Sequence, residues 1–151
     1  MKPFRFLFSS FFLAFVASCT TSDSPVLKEA RSMQQSMMQE CQGLDSLVSS
    51  KITSLEGTLT EMTEDTTLNA DTAKMATYIS LKGKYNALLD AKTRIDNWRV
   101  DMKLLPTPEE IAKGAENPFG KEASDEDVLR TMKSSNASLL TLKSELDELI
   151  K

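Results

Sequence analysis

Apolar and small side chains recur at steps of three or four from Leu27 to Met62, through Ala30, Met33, Met37, Cys41, Leu44, Val48, Ile52, Leu55 and Leu59. That spacing keeps one face of an α-helix apolar over some ten turns and predicts a single long helix over about 27–63. Gly43 and Gly57 each cost about 1 kcal/mol against Ala, yet no Pro interrupts the run. The polar, β-branched stretch Thr63 to Asn69 ends it, and Asn69 or Asp71 is placed to cap the next helix. A second stripe, Met75, Tyr78, Leu81, Tyr85, Leu88, Ala91, Ile95, Trp98, Met102 and Leu105, predicts a helix over about 70–105, stopped by Pro106 and Pro108. So short a connection returns the second helix antiparallel to the first, each roughly 50–60 Å long at about 1.5 Å per residue.

Charge supports that pairing. Residues 27–65 carry three basic and seven acidic side chains, whereas residues 70–105 carry seven basic and four acidic, so the two helices attract. Residues 106–123 hold three of the five Pro and two of the five Gly and form the irregular region. Within it, Thr107-Pro108-Glu109-Glu110 combines a cap, a proline at the first helical position and a capping glutamate, which predicts one helical turn through Ile111. Ser124-Asp125-Glu126-Asp127 starts a third helix over about 125–150 whose stripe is Val128, Met132, Ser135, Leu139, Leu142, Leu146 and Leu149. The expected fold is all-α, a long antiparallel helical hairpin closed by a shorter third helix over residues 27–151. A parallel coiled-coil oligomer is the alternative; the drift of the first stripe around its helix favours straighter helices in a bundle.

The first eighteen residues differ in kind from the rest. Six of the seven Phe fall within positions 1–15. Lys2 and Arg5 give a positive start, residues 6–17 an apolar core and Ala17-Ser18 a small-residue end, the pattern of a secretory leader too short to span a bilayer. Val16-Ala17-Ser18-Cys19 resembles the lipobox of bacterial lipoproteins, and that resemblance implies cleavage between Ser18 and Cys19 with a lipid on the Cys19 thiol. An ordinary secretory cleavage at the same place is the other reading. Granted the lipid, two or three acyl chains hold the protein on a membrane, and residues 19–26 read as lipidated Cys and polar tether. In family terms Thr20, rather than Asp, after the cysteine points to the outer membrane, facing the periplasm. Cys41 is then the one thiol left, on an apolar stripe, and reads as a packed core residue ahead of an intermolecular bridge.

Candidate chemistry beyond the lipid is sparse. No His occurs, which removes His-based acid–base catalysis and the commonest transition-metal ligand, and no catalytic, cofactor or metal residues are assigned. Glycines at 43, 57, 83, 114 and 120 are too dispersed to cradle phosphate. Without Lys2 and Arg5, 16 basic side chains face 22 acidic ones, a balance that argues against nucleic acid. Glu61-Glu64-Asp65, Glu109-Glu110 and Asp125-Glu126-Asp127 lack calcium-loop spacing and read as solvated helix ends. Trp98, Tyr78 and Tyr85 share the second stripe and read as core before ligand box. Phe119 either pins the irregular loop or meets a partner; of the adjacent Met37 and Met38 one must face outward, so Met38 is a second candidate contact. The C-terminal Lys151 is similar in placement to the lysine by which major outer-membrane lipoproteins join peptidoglycan, although a helix dipole alone favours lysine there.

A long first helix, then Ala87-Leu88-Leu89-Asp90-Ala91 and Ile95-Asp96-Asn97-Trp98 on the second, a Pro-containing loop and a short last helix resemble a family of small bacterial lipoproteins labelled "viral A-type inclusion protein-like". The resemblance implies no activity and carries no site residues. The expected function is that of a non-enzymatic, membrane-anchored helical protein that binds another protein of the cell envelope. An envelope spacer touching peptidoglycan and a small periplasmic ligand-binding module are the alternatives.

Overall fold

A computed structural model describes residues 23–151 as four helices, α1 (Pro25–Glu64), α2 (Thr72–Asp101), α3 (Pro108–Ala112) and α4 (Asp125–Ile150). The leader, Ser18 and Cys19 lie outside the described residues. α1 and α2 form the expected antiparallel hairpin, and α4 lies against both, parallel to α1 and antiparallel to α2. Ion pairs fix these directions, with Lys92 on Asp45 at 2.6 Å, Lys133 on Glu29 at 3.2 Å, Lys143 on Glu40 at 2.5 Å and Arg94 on Glu145 at 2.5 Å. All three stripes meet inside one chain. Ala30, Met37, Cys41 and Val48 of α1, Leu88 and Ile95 of α2, and Val128, Met132, Leu139 and Leu146 of α4 are buried together. These parts of the three apolar stripes thus pack against one another within one chain, as the bundle requires.

Local chemistry explains the boundaries. α1 begins two residues earlier than the stripe suggests, because Ser24 caps it, accepting from the Leu27 amide at 3.1 Å, and Pro25 takes the first turn, where its missing N–H costs nothing. Asp71 caps α2 by accepting from the amides of Ala73 at 2.9 Å and Lys74 at 3.1 Å. α2 ends at Asp101, four residues short of the expected Leu105. Pro106 biases Leu105 away from helical geometry, and a non-helical segment lets Met102 and Leu105, each 7% exposed, turn into the core. Gln34 stabilises that departure, its Oε1 accepting from the Leu105 amide at 2.7 Å. Thr107–Glu110 and Ser124–Asp127 both close reciprocal capping boxes, as their sequences predict.

α4 is the shortest of the three long helices, and this divides the molecule. Lys143 pairs with Glu40, so the end of α4, seven residues further on, is level with Leu47 of α1. Beyond that level α1 and α2 continue alone to the connector, residues 65–71, as a two-helix arm. Tyr78, Leu81 and Tyr85, expected in the core, are only half-buried there, because no third helix covers them.

Candidate functional site

Three places bring functional side chains together. The first is the end of the bundle that holds the start of α1. Arg31 donates to Asp23 at 2.5 Å, and the Ser24 hydroxyl donates to Asp125 at 2.5 Å across the start of α4. Both contacts fix the chain immediately after the proposed lipid site. Phe119 lies at the same end, half-buried against the core, with the Lys103 ammonium 5.8 Å from its ring centroid. It packs the irregular loop against the core. Ile111, by contrast, stands 52% exposed on α3.

The second is a charge cluster beside Cys41. Asp45 accepts from Lys92 at 2.6 Å and pairs with Arg99 at 3.1 Å, and Arg99 also bonds Asp96 at 3.3 Å. The Lys92 ammonium, first of all, and then Arg99 hold the Asp45 carboxyl below its ordinary range, against the opposing effect of burial. Cys41 is 1% exposed, and burial pushes its thiol pKa up although Arg99 pulls it down. A buried thiol held protonated is a packing residue rather than a nucleophile, and it is out of reach of a second chain. Met38 borders this cluster, half-buried, in a shallow depression between α1 and α2 that Gln35, Gln42 and Arg99 also line.

The third is the arm. Glu56, Leu59, Thr60, Tyr78, Lys82 and Tyr85 line an open groove between its helices, with the Lys82 ammonium 5.1 Å from the Tyr85 ring centroid. Trp98 is not part of it. Its indole N–H donates to the Ser135 carbonyl at 3.0 Å and ties α2 to α4 in the bundle half, so the three aromatics of the second stripe are separated along α2 and form no common box. Among the described residues no group of three or more His, Cys, Asp or Glu is placed to hold a metal ion. The carboxylate runs work at helix ends instead. Asp65 accepts from Lys74 at 2.6 Å and from the Thr67 hydroxyl and amide at 2.7 and 2.8 Å, which hold its pKa far below the usual carboxylate range. Glu110 and Asp127 complete the two capping boxes.

Lys151 follows the end of α4 part-way along the molecule, exposed, and not at the far tip. None of the described helices is long and apolar enough to cross a membrane. No protein-family model, curated protein or solved structure matches the chain. Sequence reasoning overlooked two positioning groups, Gln34 and Ser24. Ser24-Pro25 carried a readable signal, a capping hydroxyl before a first-turn proline; Gln34 carried none, since its partner lies 71 residues away.

Proposed function

We propose that this protein is a lipid-anchored, non-enzymatic helical protein of the bacterial envelope that holds an arm away from the membrane for another envelope protein. The carrying observation is Cys19, which follows Val16-Ala17-Ser18 at the end of a basic and then apolar leader. Three residues, Thr20 to Ser22, separate it from Asp23, a span of at most about 14 Å over four Cα–Cα steps. A lipid on Cys19 therefore keeps the end of the bundle bearing Ser24, Asp125 and Phe119 close to the membrane surface. α1, with 40 residues, then carries the arm tip about 60 Å from that end. Several acyl chains suffice for lasting attachment. The outer membrane, periplasmic side, is the proposed location, and no cofactor or nucleic acid is required.

The test is flotation of cell membranes carrying the full chain, with mass spectrometry of the mature N-terminus. The unaltered protein is expected to float with the membranes as an acylated chain beginning at Cys19, and Cys19→Ser to lose both the acyl mass and the cleavage that follows lipidation. An unaltered protein that starts elsewhere, or that carries no acyl mass, overturns the reading.

A further inference from the structure

The face of the hairpin that α4 leaves bare is more apolar than a solvated face needs to be. Ile79, Leu89 and Val100 of α2 are 63%, 40% and 82% exposed. They are not scattered. Met75, Lys82 and Leu89 recur at seven residues and Val100 follows after eleven, so these four share one line along α2, flanked by Ile79. At about 100° per residue that line lies about 160–180° around the helix from Ala91 and Trp98, which face α4. α2 thus carries, besides its core stripe, a second line on which Met75, Leu89 and Val100 alternate with polar residues, Lys82 among them. The core stripe is consumed inside the chain, and the second line faces outward along the whole hairpin.

On α1, Met38, Asp45 and Glu56 share one line at the neighbouring edge, at the same intervals of seven and eleven. Glu56 and Lys82 border one groove, and Met38 and Arg99 another, so Glu56 is level with Lys82 and Met38 with Arg99 and Val100. Among the described residues neither Glu56 nor Lys82 takes part in an ion pair.

We propose that this face binds a second copy of the chain. With a two-fold axis parallel to the helices, α1 of each copy lies over α2 of the other in the register the hairpin itself uses. Glu56 then meets Lys82 of the other copy, Met38 covers Val100, and a polar α1 edge is matched to a basic, apolar α2. Both chains point the same way, which a shared membrane demands. The face measures about 45 Å by about 20 Å, or about 900 Å² from each copy, close to the ~800 Å² per partner of ordinary specific interfaces. The opposite face is closed to such pairing, because α4 covers half of it. The interface uses residues 38–100 alone and does not depend on Cys19 carrying a lipid.

Cysteine crosslinking of the full chain decides it. Two copies with distinguishable tags are produced together, one bearing Met38→Cys or Glu56→Cys and the other Val100→Cys or Lys82→Cys, with the unaltered chain as background. Mild oxidation is expected to join 38 to 100 and 56 to 82, and not Thr60→Cys to Val100→Cys, which the register holds far apart. Glu56→Lys in both copies should lower the 38–100 product about fivefold, and adding Lys82→Glu should restore it. Absence of both products overturns the proposal, whether another protein covers the face or nothing does. Equal yield from the mismatched pair overturns it also. Flotation of the same samples reports membrane attachment separately, so loss of the anchor and loss of the dimer are read apart.

Discussion

The bundle half and the arm are built from the same two helices, yet only one of them has a core. Where α4 is present, α2 turns Leu88 and Ile95 onto it and onto α1, and Ile95 is fully buried. Past the end of α4, Leu59 and Leu68 are the buried residues, while Ile52, Leu55, Met62 and Tyr78 are half-exposed. Two helices have one line of contact, and each needs a third neighbour to bury a stripe of ordinary width. Stability therefore depends on helix count more than on helix propensity, and the arm is expected to open before the bundle does.

The largest effect should come from matched truncations in the two halves. Leu139, 1% exposed among the three helices, is expected to cost about 2–5 kcal/mol when replaced by Ala. Leu55→Ala, in the arm, removes the same atoms from a partly buried site at the edge of the core and should cost less, about 1–2 kcal/mol. Urea denaturation followed by circular dichroism measures both. Equal losses would mean that the arm is covered in solution, and repeating the pair at high dilution would show whether the cover is a second copy.

Asp45 offers an intermediate effect with a pH signature. It sits where α1 and α2 are joined by charge, its carboxyl 26% exposed between Lys92 and Arg99. Its folded pKa is lowered, chiefly by the Lys92 hydrogen bond, so the unfolded chain binds this proton more readily. The stabilisation is present above the unfolded value, about 3.9, and is lost as pH falls below it through the folded pKa. Asp45→Asn should cost about 1 kcal/mol at neutral pH and flatten the fall in melting temperature below about pH 4. An unchanged acid limb would show that the Lys92 and Arg99 contacts carry no net stability.

The division into halves was only partly legible in the sequence. The three stripes and the capping patterns at Thr107 and Ser124 are local signals and determine the helices directly. The end of α2 is not local: Leu105 leaves the helix because Pro106 forbids its continuation and because Gln34, on another helix, accepts its amide. Tyr78 and Tyr85 obey core spacing as faithfully as Leu88 does, and nothing in the second stripe marks where α4 stops. Helix length in one element sets burial in another, and a one-dimensional pattern does not carry that dependence. The outward line through Lys82, Leu89 and Val100 was hidden for a related reason, since a strong first stripe leaves sparse apolar positions looking like ordinary surface residues.

The smallest effect is the sharpest test of whether the halves open separately. Gly43 lies in α1 beside α4 and Gly57 lies in the arm, and a Cβ at either would meet nothing within 4 Å. Each Gly→Ala change removes the same backbone freedom from the unfolded chain and should stabilise its helix by about 0.5–1 kcal/mol. If bundle and arm unfolded as one unit, the two variants would raise the main thermal transition alike. With an arm that opens first, Gly43→Ala raises that transition by a few degrees, whereas Gly57→Ala leaves it in place. Gly57→Ala should instead slow hydrogen exchange about threefold at arm amides in residues 52–64 and 75–86, leaving those of α4 unchanged. Exchange resolved by residue, read beside calorimetry on the same two variants, separates these outcomes, and equal shifts of the main transition would abolish the distinction between the halves.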